Sequence, residues 1–327
     1  MYPSFFKKLG PIDVNKIKTT IDCETFNISS NDKFIDFLSI DTLRDNSITF
    51  LHQNEKFIKK FPETSAIICT KKIREKLDSN QKTIIVNNIQ ESVAKISNIF
   101  YRNLNTSEIK NLKKPQIGKN CDISKDAKIE NGVIIGDNVE INCNAVIKHS
   151  CVIGDKSIIG SNTTISNTIL GENVTIGSNT SVGQRGFGFH LNENDNVNIF
   201  HSGRVIIKSK VSIGSGCTID RGSFSDTMIG ENTYFDNLCH IAHNVKIGNN
   251  CAFAAMTGIA GSAKIGNNVL AGGQAGIAGH ISIGNNVNIA AKSGVFDSLK
   301  DGETVMGNPA INKFKFLKNY KKIYGKR

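Results

Sequence analysis

Tryptophan is absent from this 327-residue sequence and proline is scarce, with 5 prolines against 29 glycines. That balance favours many short repeated strands over a bundle of long helices. The eight cysteines form no CxxC pair, which argues against a zinc knuckle or a disulfide framework. No window approaches the roughly 18 apolar residues of a membrane span, and the first residues lack the apolar core of a signal peptide. We therefore expect a cytoplasmic chain without a transmembrane segment, whose cysteines are reduced and mostly buried.

Acidic residues are outnumbered, since 40 Lys and Arg stand against 29 Asp and Glu and give a formal net charge of +11. Such a balance implies an acidic partner. The sequence has no aromatic-basic platform or groove-reading motif, so nucleic acid is not the expected partner. Residues 301–327 predict a basic amphipathic helix, which either caps the preceding structure or docks an acidic protein.

The strongest pattern is an aliphatic residue at every sixth position. In its first phase the repeat occupies Ile117, Ile123, Ile129, Ile135, Ile141, Ile147, Ile153, Ile159 and Ile165. It slips by one residue at Leu170, is interrupted at about 184–203, takes four extra residues within 220–228, and continues to Val295. A period of six fits neither an α-helix nor a single strand, whose periods are 3.6 and two.

We interpret the repeat as a prism with one hexapeptide on each flat side. An apolar side chain points inward, and a glycine or asparagine stands at each corner, where a positive φ is needed. Three sides make one coil of 18 residues, and the coils stack as parallel strands about 4.8 Å apart. This repeat resembles that of the hexapeptide-repeat acyltransferases, which implies a mainly β fold with a left-handed parallel β-helix. The same prism serves O- and N-acyltransferases, nucleotidyltransferase partners and γ-type carbonic anhydrases, and it can be an inert spacer.

The segments that flank the repeat have other patterns. SITFL, AIICT and KTIIVNN are typical of short strands, and ESVAKISNIFYRN has apolar positions at helical spacing. We therefore predict a small N-terminal α/β domain over 1–105, the β-helix over 111–300 and a C-terminal helical extension over 301–327.

The stretch DNLCHIAHNVKIGNN holds two histidines three positions apart. His243 comes two positions after an inward residue and is expected to point outward at a corner. Stacking by 18 residues places Gly261 directly above it, and His280 falls near the same edge two coils on. Three interpretations stay open: a metal site formed by His240, His243 and His280, an acid–base site, or no role.

The acid–base interpretation makes His243 the proton acceptor, because imidazole titrates near neutral pH. Asp236, one side earlier in the same coil, would accept a hydrogen bond from the far ring nitrogen and set the tautomer. The N–H of Gly261 would stabilise a developing oxyanion. Such a site suits acyl transfer from a thioester to an amine or hydroxyl, with neither a protein nucleophile nor a metal.

Four motifs narrow the resemblance. GFGF, TIDRG, DNLCHIAHNVKIG and GGQAGIAGHISIG, in this order, resemble the UDP-3-O-(3-hydroxyacyl)glucosamine N-acyltransferases of lipid A biosynthesis over nearly the whole chain. The resemblance implies a homotrimer with active sites between adjacent prisms. It also implies transfer of a 3-hydroxyacyl group from acyl carrier protein to the 2-amine of UDP-3-O-(3-hydroxyacyl)glucosamine. No cofactor is implied beyond the phosphopantetheine that carries the donor.

The resemblance also implies residue roles. His243 matches the general base and Asp236 the carboxylate that orients it. His280 matches a second active-site histidine, and Gly261 matches the glycine whose N–H faces the thioester oxygen. Acyl carrier protein is acidic and the substrate carries a diphosphate, so both would be attracted to the basic surface and the terminal helix.

The segment ITFLHQNEKF resembles the uridine-binding segment of that family. Phe50 and Phe57 would flank the uracil, and Asn54 would hydrogen-bond near it. Phe57 stands where the family has a tyrosine, which removes a phenol, and Ala255 and Met256 replace glycines, which predicts a narrower acyl groove. The alternatives are another sugar-nucleotide acyltransferase of this fold (O-acylating or N-acetylating), a γ-type carbonic anhydrase and a non-catalytic β-helix scaffold.

Overall fold

The computed structural model of the chain describes residues 5–52, 61–192 and 195–325. Three long sheets dominate it, and each takes one short strand from every coil. The first comprises Gln116–Ile117, Ile134–Ile135, Val152–Ile153, Thr168–Leu170, Val205–Ile207, Thr227–Ile229, Lys246–Ile247, Lys264–Ile265 and Ser282–Ile283. The second comprises Asp122–Ile123, Glu140–Ile141, Ile158–Ile159, Thr175–Ile176, Ser212–Ile213, Tyr234–Phe235, Ala252–Phe253, Leu270–Ala271, Asn288–Ile289, Thr304–Met306 and the antiparallel Ile311–Asn312. The third comprises Lys128–Ile129, Val146–Ile147, Thr164–Ile165, Ser181–Arg185, Thr218–Arg221, His240–Ile241, Gly258–Ile259, Gly276–Ile277 and Gly294–Val295.

The strand register confirms the coil of 18 residues. Gln116 pairs with Ile134, and Ile134 pairs with Val152. The one-residue slip appears where Val152 pairs with Ile169. The three sheets are the sides of a left-handed parallel β-helix, as the family resemblance implied.

Inward isoleucines fill the prism. Ile135 is 3% exposed, whereas Ile117 is 51% exposed because its coil has a neighbour on one side only. Asparagine accounts for 12 of the 21 described non-glycine residues with positive φ between Gln116 and Val295. The others are Ser, Lys, Leu, Met, Gln or His, so the expectation of glycine or asparagine at each corner holds only in part. The glycines that follow inward residues were expected to have a positive φ, and this is wrong for Gly248. A Cβ at Gly248 would lie 2.6 Å from Oδ1 of Asn267. Glycine there permits the close approach of consecutive coils.

The N-terminal part is an α/β structure around a five-stranded sheet. In spatial order its strands are Glu24–Phe26, Lys82–Ile85, Ala66–Cys69, Ser47–Phe50 and Asp36–Phe37, the first pair antiparallel and the others parallel. Phe6–Lys8 pairs with Tyr101–Asn103, and Ile12–Asp13 pairs with Lys33–Phe34. The helices are Val14–Thr20, Lys71–Arg74, Ile89–Phe100 and Thr106–Lys110, with a 3₁₀ turn at Ile40–Thr42. The three strands and the helix predicted from the flanking sequence are therefore present.

The two interruptions of the repeat are where the N-terminal part meets the prism. The insertion forms a hairpin of Phe189–His190 and Val197–Asn198, and Nδ2 of Asn98 donates to the carbonyl of Asn198 at 2.8 Å. The four-residue excess carries Phe224, whose ring is 4.6 Å from that of Phe37 in the N-terminal core. These contacts place the N-terminal sheet beside one corner of the prism.

The predicted C-terminal helix is present as Lys313–Tyr324, and no residue of it is buried. Its N-terminus is capped by Asn312, whose side chain accepts from the N–H groups of Phe314 and Lys315. No helix in the described ranges is long and apolar enough to cross a membrane.

Candidate active site

His243 lies at the corner between the third and first sheets, just after the strand His240–Ile241. Its imidazole is half-buried, and Nδ1 is 3.0 Å from Oδ1 of Asn244. The Asn244 amide presents its oxygen to the ring, because its Nδ2 donates to the carbonyl of Ser225 at 3.0 Å. The neutral ring therefore donates from Nδ1 and keeps the lone pair that accepts a proton on Nε2.

Asn244 was missed by the sequence analysis, and the structure shows it held from several sides. Its φ is 63°, in the left-handed region that asparagine tolerates. Its Oδ1 also accepts from the N–H and the hydroxyl of Ser223, each at 3.0 Å. Asn244 could have been found from the sequence, because the repeat predicts a positive-φ residue at every corner and Asn244 is the corner residue next to His243.

A second imidazole that the sequence analysis missed lies behind His243. His201 is fully buried, and the two ring centroids are 5.4 Å apart. Burial, followed by the positive charges of His243 and Arg221, lowers the pKa of His201 to about 3. The N–H of Gly186 donates to its Nδ1 at 3.2 Å. His201 is thus neutral at physiological pH and supports the wall of the site.

The GFGF motif is the sequence signal for this arrangement. A Cβ at Gly186 would lie 2.7 Å from Cβ of His243 and 3.0 Å from Cε1 of His201. Only glycine allows the backbone to pass so close to two imidazoles without moving them.

Gly261 lies one coil above His243, as the stacking predicts. A Cβ at this position would lie 2.8 Å from Cε1 and 2.9 Å from Nε2 of His243. In the part of the chain that the structure describes, the N–H of Gly261 has no hydrogen-bond partner. His280 occupies the same edge one coil further on, where its N–H donates to the carbonyl of Gly261 at 3.1 Å and its side chain is exposed.

Asp236 does not reach His243, and the expected hydrogen bond between them is corrected. Asp236 is exposed at the corner after the second sheet, where its Oδ1 accepts from the N–H and Nδ2 of Asn237 at 2.7 and 2.9 Å. One side of the prism separates the two corners, and at about 3.3 Å per residue that is on the order of 15 Å. Within one chain, Asn244 holds the imidazole.

A groove of about 590 Å³ connects His243 and His280 to the N-terminal part, which contributes Phe50 and His52. The Phe50 ring is half-buried, 5.6 Å from Phe224 and 5.4 Å from His52. Burial, and then the positive charge of His280, lowers the pKa of His52. No role was predicted for His52, although it lies in the segment ITFLHQNEKF.

The other predicted substrate-binding residues, Asn54 and Phe57, lie outside the described residues. Met256 is at the corner after the second sheet, with its Sδ 3.6 Å from Nε2 of Gln274, and it does not line the groove. The narrower acyl groove therefore stays a prediction.

A second groove, of about 750 Å³, lies on the outer face of the second sheet. Its lining includes Tyr234, Asp236, Leu270, Met306 and Lys313. Asp236 thus belongs to a different surface from His243, next to the start of the C-terminal helix.

His240 turns away from the other two histidines. Its Nδ1 is 2.7 Å from Oγ1 of Thr218, and its Nε2 is 4.0 Å from Oδ2 of Asp220. Across residues 5–52, 61–192 and 195–325, no group of three or more His, Cys, Asp or Glu side chains is placed to hold a metal. The geometry does not support a metal site formed by His240, His243 and His280.

Fold and site together define a class. Residues 226–261 match the bacterial transferase hexapeptide (six repeats) family, and residues 112–202 match the GMPPB C-terminal domain. The UDP-N-acetylglucosamine acyltransferase of Campylobacter jejuni has a similar solved structure, with a TM-score of 0.53 at 24% identity over 63% of this chain and 86% of that chain. That likeness shows the fold, so the class is that of parallel β-helix proteins with a six-residue repeat.

Curated relatives match a short part of the chain. The chain is 52% identical over 62 residues to the UDP-3-O-acylglucosamine N-acyltransferase of Maricaulis maris, which is 19% of this chain and 18% of the relative. It is 50% identical over 64 residues to the enzyme of the same name from Leptospira biflexa, which is 20% of this chain and 18% of the relative. The matches thus span under a fifth of each relative's length. Over that part, they confirm the resemblance predicted from the sequence.

Proposed function

We propose that this protein is a cytoplasmic N-acyltransferase of lipid A biosynthesis. It moves a 3-hydroxyacyl group from acyl carrier protein to the 2-amine of UDP-3-O-(3-hydroxyacyl)glucosamine. The observation that carries the proposal is the geometry of His243, whose Nδ1 is committed to Asn244 while Nε2 lies against Gly261 in the groove. The similarity to curated N-acyltransferases supports the choice of substrate.

In the proposed reaction, Nε2 of His243 takes a proton from the 2-amine as the nitrogen attacks the thioester carbonyl carbon. The carbonyl oxygen becomes an oxyanion, to which the N–H of Gly261 donates. The C–S bond then breaks, and the imidazolium returns its proton to the departing thiolate. The products are an amide and the thiol of phosphopantetheine. His201 suits this mechanism because, being neutral, it adds no positive charge against the imidazolium.

The acceptor side of the proposed site is the N-terminal wall of the groove. Phe50 presents a half-buried ring there, which suits stacking against or beside a uracil. His280, exposed at the rim, is assigned to contact with the substrate. Phe57 and Asn54 keep the roles that the family resemblance implies for them.

The donor side is proposed from charge. Every residue of the helix Lys313–Tyr324 except the half-buried Phe316 is exposed, and the helix carries lysines at 313, 315, 318, 321 and 322. An acidic carrier protein would bind to such a surface. In the proposed homotrimer, Asp236 would reach a His243 site only from a neighbouring chain, because the two lie at different corners.

Mass spectrometry of the product tests the proposal. Wild type, His243→Ala and His240→Ala are each incubated with UDP-3-O-(3-hydroxyacyl)glucosamine and 3-hydroxyacyl carrier protein. We expect amide product from wild type and a loss of about 10²–10⁴-fold in His243→Ala, the usual contribution of a general base. His240→Ala is the matched control, because His240 lies on the strand just before His243 and its Nδ1 contacts Thr218.

The other outcomes separate the alternatives. An ester product would identify an O-acyltransferase of the same fold, and a requirement for an acetyl donor would identify an N-acetyltransferase. Absence of product from folded protein would overturn the proposal and favour a scaffold. Equal rates for wild type and His243→Ala would show that another group is the base.

A further inference from the structure

Two lysines lie side by side on the prism wall of the groove that contains His243. Lys246 and Lys264 pair in register on adjacent strands of the first sheet, and both line the groove. Neighbouring strands are about 4.8 Å apart, so the two side chains leave the same face as direct neighbours. Like charges in that position repel each other and destabilise a sheet. A bound anion would relieve the repulsion.

On the outer face of the first sheet, positive charge is confined to the two coils that line the groove. In this register the outward residues of the first sheet are, in order, Gln116, Ile134, Val152, Ile169, Ile206, Met228, Lys246, Lys264 and Ser282. Every residue before Lys246 is uncharged, and all but the first are apolar. The column therefore changes from apolar to cationic where it enters the groove.

Neither lysine forms an ion pair with a carboxylate within the described residues, although Asp41 also lines the groove. Asp226 binds Arg204 through both carboxylate oxygens, at 3.0 and 2.7 Å, and offers Lys246 only its backbone carbonyl, at 2.5 Å. Burial lowers the pKa of Lys246, with Asp226 and Asp41 acting in the opposite direction and Lys264 adding to the decrease. Lys264 is exposed and forms no ion pair within the described residues. An anion with at least two negative charges would match the two ammonium groups.

We propose that Lys246 and Lys264 bind the diphosphate of the nucleotide-sugar substrate, an inference that rests on the proposed function. A diphosphate joins the nucleoside to the sugar. The lysines line the same groove as Phe50, proposed for the nucleoside end, and His243, proposed for the sugar end. Lysine ammonium groups bind phosphates as compact point charges with three donors each.

Isothermal titration with UDP and with uridine, which lacks the phosphates, tests this subsite. In wild type we expect UDP to bind more tightly than uridine. Lys264→Met should weaken UDP binding by about tenfold and leave uridine binding unchanged. Lys246→Met should also weaken UDP binding. Lys264→Met is the main test, because Lys264 is exposed and its replacement disturbs folding least.

Lys128→Met is the matched control. Lys128 is an exposed outward residue that precedes an inward isoleucine, as Lys264 does, but it lies in the first coil and does not line the groove. Its substitution should change neither titration. Unchanged UDP binding in Lys264→Met, or equal losses for UDP and uridine, would overturn the inference.

The donor's phosphopantetheine also carries a phosphate, so its binding is compared with that of pantetheine. If Lys264→Met lost the preference for phosphopantetheine but kept the preference for UDP, the assignment to the nucleotide would be overturned. The titrations contain no acyl donor. The two proposals can therefore fail separately. If UDP binding depends on the lysines but the protein transfers no acyl group, the subsite is supported and the proposed function is overturned.

Discussion

Replacing Gly261 with alanine tests whether catalysis depends on the position of the His243 imidazole. The added Cβ would lie 2.8 Å from Cε1 and 2.9 Å from Nε2. Non-bonded carbon atoms prefer about 3.5–4.0 Å, so the ring must move by on the order of 1 Å. The φ of Gly261 is not positive, so alanine suits the backbone and the N–H stays in place.

The expected cost falls on the reaction. Nε2 is the atom that accepts the proton, and a misplacement of about 1 Å can cost about 100-fold in kcat, or about 2.7 kcal/mol in the barrier. The free energy of unfolding should change by about 1 kcal/mol or less. Lower chain entropy in the unfolded state offsets part of the crowding, and a half-buried ring at a corner can move.

The assay is the kcat for amide formation, with the urea midpoint measured on the same samples. Gly276→Ala is the matched control, because no atom lies within 4 Å of a Cβ at Gly276 and its φ is not positive. That variant should stay within about twofold of wild type. Wild-type kcat in a stable Gly261→Ala variant would refute the reasoning, since it would show that the ring position is not needed.

His201 should make stability depend on pH. The pKa of His201 is about 3 in the folded chain and about 6.5 in the unfolded chain. As the pH falls, the unfolded chain is therefore protonated first. The free energy of unfolding is highest above about pH 6.5 and decreases by about 1.4 kcal/mol per pH unit between there and about pH 3. His201→Gln should reduce the loss in urea stability between about pH 7.5 and about pH 5 by about 2 kcal/mol, and an equal loss in both proteins would contradict a neutral buried imidazole. Phe224→Ala removes a ring that is 4.6 Å from Phe37 and 5.6 Å from Phe50, so it should cost about 3–4 kcal/mol and speed proteolysis of the N-terminal part. Phe314→Ala, at a position 79% exposed, is the control, and unchanged proteolysis of Phe224→Ala would contradict docking by that ring.

The prism could be predicted from the sequence because its geometry is repeated locally. Each hexapeptide carries one inward aliphatic residue, and each coil pairs in register with the next, so position along the axis follows from residue number. The same arithmetic correctly placed Gly261 above His243 and His280 on the same edge. Corner asparagines followed from the need for positive φ.

Two features of the site did not follow from the repeat. Asp236 was assigned to His243 from its place one side earlier in the same coil and from the family resemblance, but a prism side separates their corners. His201 comes from an insertion without any period, so no stacking rule places it behind His243. Asn244 could have been found, because every corner needs such a residue, but its role depends on contacts with Ser223 and Ser225.

Periodic burial and strand pairing act between residues 18 apart, so sequence alone was enough for the β-helix and for the axial order of its site residues. The groove and the tautomer of His243 arise from contacts with no fixed spacing. Phe224 packs against Phe37, and Asn98 binds the hairpin at Asn198. Those contacts join segments that are a hundred or more positions apart. Only the folded chain brings Phe50 and His52 to the wall that faces His243, because their positions depend on how two separately built cores pack together.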